Sequence, residues 1–344
     1  GGTAGALLAW NFGQSLRAAG QPRIAIIGGG LAGLTAALTL ADNGYVANVY
    51  EVMDRIGGRL LSDRSSPLQP ACGSCHSVQR PVEATWTDGQ VTDVFGELID
   101  TGHLTMLSLA DRFNLPLINL LESEPVGSTE TYHFFGNHYR KADADRDFQG
   151  VYPVIQNDIH AAGYPTTYDR SKPGGRALDS MSIYDWIESR IPGGHNSAFG
   201  ALLDVAYNIE FGAETTDQSS LNLLYLLGYS PSRNTFSAFG ESDERFRVAD
   251  GIDLIPKAIA NSLPAEKLHL GWFLKSIVRR SDGTYALTFE NQGTVVADIV
   301  IMTAPFAALG NVDYGRAGFD ALKDKAIREL GAGHNGKMHL QFSQ

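Results

Sequence analysis

The stretch from Arg23 to Arg59 reads RIAIIGGGLAGLTAALTLADNGYVANVYEVMDRIGGR. Its first part, Ile24 to Ile27, is a short β-branched apolar run that suits a buried parallel strand. Gly28, Gly30 and Gly33 follow at G-x-G-x-x-G spacing. Through Leu31 and Ala32 they lead into a helical pattern with Leu34, Ala37, Leu38 and Ala41 on one face. Asn43-Gly44 stops that helix. A second strand, Val46 to Glu51, ends on a carboxylate.

In that order these residues suit a dinucleotide. Gly28 permits a tight turn, Gly30 lets the backbone approach a pyrophosphate, and Gly33 lets helix and strand pack closely. The pyrophosphate would rest on the N–H groups that open the helix, at Leu31, Ala32 and Gly33. Glu51, at the tip of the second strand, is placed to accept hydrogen bonds from a ribose. The alternative is a βαβ unit with an empty turn.

Beyond Glu51, Arg55-Ile56-Gly57-Gly58-Arg59 adds two guanidinium groups and a glycine pair whose amides can reach phosphate oxygens. The segment E-V-M-D-R-I-G-G-R resembles the extended fingerprint of the flavin amine-oxidase superfamily, which includes monoamine, polyamine and L-amino-acid oxidases. The resemblance implies FAD rather than a nicotinamide cofactor.

Composition bounds the rest. The 344 residues, 43% apolar with 38 glycines, are enough chain for more than one core. A formal charge of −11 argues against a nucleic-acid partner. No run of about eighteen apolar residues occurs, so no membrane span is expected. The opening Gly1-Gly2-Thr3-Ala4-Gly5-Ala6-Leu7-Leu8-Ala9-Trp10 reads as the tail of an export signal, or else as a helix packed beside the first strand. Cys72-Gly73-Ser74-Cys75-His76 has the spacing of a c-type haem attachment. A loop of about thirty residues is too little chain to enclose a haem, so a local disulfide or two free thiols is the expectation.

Gly96-Glu97-Leu98-Ile99-Asp100 reads as a strand end feeding a helix with Leu104, Leu107 and Ala110 on one side. A hairpin follows, Tyr132–Phe135 and His138–Tyr139 around Gly136-Asn137, flanked by two surface histidines, His133 and His138. Residues 150 to 230 look helical, with Ser182 as a cap. From Phe239-Gly240 on, a strand, a turn at Asp250-Gly251 and a short helix precede a meander over Trp272–Val278, Tyr285–Phe289 and Thr294–Val296. Ile299 to Pro305 closes the meander as a buried strand. A helix from Asp320 to Leu330, with Leu322, Ala326 and Leu330 on one face, leads into a glycine-rich loop and a strand carrying Lys337.

The resemblance runs from Arg23 to Phe342. It implies that Gly96 and Glu97 lie beside the isoalloxazine ring, that Gly251, Leu274 and Pro305 stand at family motifs of the cofactor domain, with Leu274 and Pro305 cofactor-binding and the Leu274 strand contacting adenine through its backbone, and that the Lys337 ammonium holds a water at flavin N5. Two departures stand out. Phe95-Gly96 replaces a glycine pair, and Asp250 stands where a second glycine is usual. The fold expected is α/β: a discontinuous Rossmann-type FAD-binding domain over residues 21–101 and 239–311, and a substrate-binding part with a helical insertion over 102–238 and 312–344.

The activity implied is oxidation of an amine to an imine, hydrolysed to a carbonyl product and ammonia, with O2 reduced to H2O2. The alternatives are an L-amino-acid oxidase, a carotenoid-desaturase or porphyrinogen-oxidase type of enzyme, and an incomplete, non-catalytic flavin-binding module. The Gly96–Gly102 segment has no arginine for a substrate carboxylate, which favours a simple amine. Enzymes of this type continue past the Lys337 strand into a substrate sheet, so a further segment or a second polypeptide is expected to complete the fold. Homo-oligomerisation is also expected.

Overall fold

A computed structural model describes residues 20–64, 86, 89–230 and 232–342. The export-signal reading and the Cys72–His76 motif lie outside these residues.

The first sheet is built from both halves of the chain. Strands Leu268–Leu270, Ala47–Glu51, Ile24–Ile27 and Ile299–Met302 lie side by side in that order, all parallel. Ile24–Ile27 is buried at every position, as a central strand between two neighbours requires. The helix Leu31–Asp42 crosses back over the sheet with Gly33, Leu34, Ala37 and Leu38 buried, while Ala41 is exposed at its end. Asn43 caps that helix and Gly44 turns the chain with φ 79°.

A second sheet is the antiparallel meander Leu274–Arg279, Tyr285–Phe289 and Gly293–Ala297, to which Asp313–Arg316 adds in parallel. Ile299–Met302 does not close this meander. It leaves for the first sheet, pairs with Ile24–Ile27, and is half-buried rather than buried. Hydrogen bonds from the Gly271 N–H to Met53 O and from the Trp272 N–H to Glu51 O tie the start of the meander to the end of the second strand. Tyr50, Leu274, Ile277, Leu287 and Phe289 fill the space between the sheets.

The helices between the two halves have their own core. Lys141–Ala162, Pro173–Asp179, Ile183–Arg190, Ala198–Phe211 and Ser220–Leu227 enclose Phe148, Trp186, Phe199, Leu203 and Tyr207. The first begins nine residues earlier than its pattern suggested, immediately after the hairpin. Ser182 accepts a hydrogen bond from the Asp185 N–H, the expected cap.

Several local expectations are corrected. The hairpin turn is Phe135-Gly136, with φ 54° and 79°, between Thr131–Phe134 and Asn137–Arg140. Both central residues take positive φ, as a type I′ turn requires, and this frees Asn137 to pair with Phe134. In the helix Leu104–Arg112 the buried side is Leu109 and Ala110, and Leu104 is 73% exposed because it opens the helix beyond the core edge. The helix Ala321–Glu329 buries Ile327, while Leu322 and Leu330 face outward. The stretch carrying Lys337 is not a strand: a ladder needs a partner, and none of the described residues pairs with it. Among the described residues no helix is long and apolar enough to cross a membrane.

Candidate functional site

The glycine turn sits at the carboxyl ends of the parallel strands. The Gly28 N–H donates to Tyr50 O at 2.8 Å, with Gly28 at φ 115°. A Cβ on Gly28 would come within 2.5 Å of Thr303 Oγ1, and one on Gly33 within 1.9 Å of Gly28 O. Both positions are closed to any side chain. Thr303 was not singled out from the sequence. Its hydroxyl donates to Ile27 O at 2.9 Å, packing the end of the fourth strand beneath the turn.

Gly30 differs from these two. A Cβ there would meet only Gly58 Cα, at 3.8 Å, so the glycine guards the open space of the turn rather than a packing contact. Gly58, at φ 56°, faces it from the arginine-glycine loop. The Gly57 N–H donates to Gly29 O at 2.9 Å, and Gly30 and Gly57 form an isolated parallel bridge. The two glycine motifs, far enough apart to be read separately in sequence, therefore make one cradle. Above it lies the start of the helix at Leu31, Ala32 and Gly33. Its cap residue Gly30 has no side chain to occupy those N–H groups, and no acid lies in the first turn. A phosphate-bearing dinucleotide fits this arrangement: bare amides, a helix dipole and no blocking side chain.

Glu51 is 7% exposed and accepts the Gly29 N–H at 2.6 Å and the Met53 N–H at 2.9 Å. Its carboxylate thus braces the turn, and its remaining lone pairs are what a ribose could use. Arg55 is also spent on the protein. It donates to Gly58 O at 2.9 Å and Ile56 O at 3.2 Å, and burial pulls its pKa down from the usual guanidinium value. Arg59 is exposed, and its carbonyl accepts the Gly96 N–H at 3.1 Å. Leu274 is buried between the sheets, next to the segment bonded to Glu51. Pro305 is exposed and caps the short helix Phe306–Leu309.

Lys337 comes to the Asp93–Glu97 segment from the other end of the chain. Its ammonium donates to Asp93 O at 3.0 Å, Phe95 O at 2.9 Å and Glu97 Oε2 at 2.7 Å. The loop before it is anchored by the His334 N–H on Gly212 O and the Asn335 side chain on Ile209 O. Beneath Glu97 lies a pair that no sequence motif joins, Arg247 and the fully buried Asp93, at 3.3 Å. Gly251, at φ 107°, presses against Ser62, and Asp250 holds φ 63°, a conformation that Asp tolerates better than most residues.

Comparison with known proteins places these features in context. The sequence profile of the family described as flavin containing amine oxidoreductase matches residues 31–344. A putrescine oxidase of Kocuria rosea is 23% identical over 300 residues, covering 82% of this chain and 56% of the relative. An L-amino-acid oxidase of Demansia vestigiata is 22% identical over 299 residues, covering 81% of this chain and 50% of the relative. The chain thus spans about half the length of these relatives. The solved structure of a cyclohexylamine oxidase from Brevibacterium oxydans superposes with a TM-score of 0.69 at 19% identity, over 90% of this chain and 63% of that one.

Proposed function

We propose that this chain, which belongs to the family of flavin-containing amine oxidoreductases, is the FAD-binding part of an oxidase acting on a small amine. The observation that carries the reading is the double-glycine cradle. Gly30 and Gly58 face each other at the mouth of an uncapped helix, with Glu51 bracing the turn. FAD is the family's cofactor, and when bound it would accept a hydride from the carbon bearing the amine and pass the electrons to O2. Water then hydrolyses the imine, so that amine, O2 and water give a carbonyl compound, ammonia and H2O2.

The chain's own residues hold and orient. The N–H groups of Leu31, Ala32 and Gly33 would take the pyrophosphate, and Glu51 the ribose. Gly96 and Glu97 stand in the segment that meets Lys337, and Lys337 would hold a water at the reacting edge by giving up one of the three acceptors it meets here, Asp93 O, Phe95 O or Glu97 Oε2. A simple amine is favoured over an amino acid because the segment Gly96–Gly102 brings no arginine that could take a carboxylate bidentately.

The test is direct. The purified protein should carry flavin, and a peroxide assay across primary amines, polyamines and α-amino acids should respond to the amines. A colourless protein with no affinity for added FAD would sink the reading. A response confined to amino acids would move the chain to the L-amino-acid oxidases.

A further inference from the structure

The Lys337 ammonium has three protons and meets three acceptors. Two are backbone carbonyls, of Asp93 and Phe95, which any sequence would supply. The third, Glu97 Oε2 at 2.7 Å, is the contribution of one side chain.

Glu97 is itself held from behind. The Arg247 Nε lies 3.8 Å from Glu97 Oε1 and 3.3 Å from Asp93 Oδ2, and Arg247 Nη2 donates to Val91 O at 2.7 Å. Asp93 is fully buried, and its Oδ1 accepts from Ser62 Oγ at 2.5 Å and from the Ile252 N–H at 3.0 Å. Charge therefore alternates from the core outward: Asp93, Arg247, Glu97, Lys337. The inner end is fixed by the fold. At the outer end is a residue in a stretch with no ladder of its own. Without the Glu97 charge, two cations would stand next to each other with only Asp93 to balance them. Lys337 would then be pushed away from Arg247 instead of drawn toward it.

We propose that Glu97 is a positioning residue for Lys337. Its carboxylate, backed by Arg247 on buried Asp93, sets where the ammonium stands against the Asp93–Glu97 segment. The inference rests on the reading of Lys337 as the residue that serves the reacting edge, and its test separates the two. The variants are Glu97→Gln, Glu97→Asp, Lys337→Met and the double Glu97→Gln/Lys337→Met. Glu97 is part-exposed and the amide is nearly isosteric, so folding should survive.

The first readout needs no turnover. The acylation rate of Lys337, measured by peptide mass spectrometry against exposed Lys172 in the same sample, should rise about tenfold in Glu97→Gln, the effect of losing one charge-assisted contact. In Glu97→Asp it should rise less, since the charge is kept. The second is the rate of flavin reduction at saturating amine. Glu97→Gln should slow it about tenfold in the parent and add nothing in the Lys337→Met background. An unchanged labelling rate, or equal kinetic effects of Glu97→Gln with and without Lys337, overturns the proposal. If no amine reduces the flavin of the parent protein, the functional reading fails, and labelling alone decides whether Glu97 holds Lys337.

Discussion

At the scale of single residues, the cradle makes two different demands on its glycines. Gly28 and Gly33 are required for packing, since a side chain at either meets Thr303 or the Gly28 carbonyl. Gly30 is required by what the turn must admit. Gly30→Val is therefore expected to leave the fold in place and abolish flavin binding, seen as a folded, colourless protein after gel filtration. Retained flavin would contradict the site. Glu51 teaches the reverse. On the sequence it reads as a ribose ligand, and an amide in its place would still accept a hydrogen bond. In the structure both oxygens already accept backbone N–H groups. Glu51→Gln turns one acceptor into a donor facing a donor, so it should cost about 1–3 kcal/mol of stability besides flavin affinity. Urea midpoints of the flavin-free protein would measure this. An unchanged midpoint would confine Glu51 to the ligand.

At the scale of elements, the join between the first and fourth strands is where the two halves of the chain meet. The Arg23 N–H donates to Asp298 Oδ2 at 2.7 Å, and its guanidinium to the same carboxylate at 3.0 and 2.6 Å. These Arg23 hydrogen bonds hold the Asp298 carboxyl down at about 2. The folded value lies below the ordinary aspartate value, so the contribution is complete above about pH 4 and is lost as pH falls through about 2. Asp298→Asn should thus be less stable than the parent at neutral pH, by no more than about 1 kcal/mol for so exposed a pair. The gap should close on acidification. Denaturant midpoints from pH 7 downward check it, and a gap independent of pH would remove the charge from the account. Strand and helix identities were widely legible from period and punctuation. Element ends and faces were less so, because they depend on neighbours. Leu104 and Leu330 are apolar and correctly spaced, yet among the described residues both stay largely exposed, while Phe135 takes a left-handed turn position that its side chain gives no hint of.

At the scale of the whole molecule, the helical core around Trp186 and the inter-sheet core beside Trp272 are separate clusters. FAD held in the cradle would contact the sheet side of this division. Added at about a hundred times its Kd, it should stabilise that side by about 2.7 kcal/mol. Unfolding followed in a variant that keeps only Trp272, with Trp10, Trp86 and Trp186 each changed to Phe, reports the sheets and should then shift more than in one that keeps only Trp186, which reports the helices. Equal shifts would mean the two cores unfold as one. The sequence alone determined the dinucleotide unit, since strand, glycines, helix and terminal acid are local signals that spacing can carry. It also carried the family resemblance and the short-range order of the meander. Only the tertiary structure decided that Gly30 faces Gly58, that Thr303 closes the turn, and that Asp93, Arg247, Glu97 and Lys337 form one line of charge. Those contacts join residues up to 276 positions apart, as with Thr303 and Ile27. Pairings at such separations leave no period or motif in the chain, because they are set by how the sheets and helices pack.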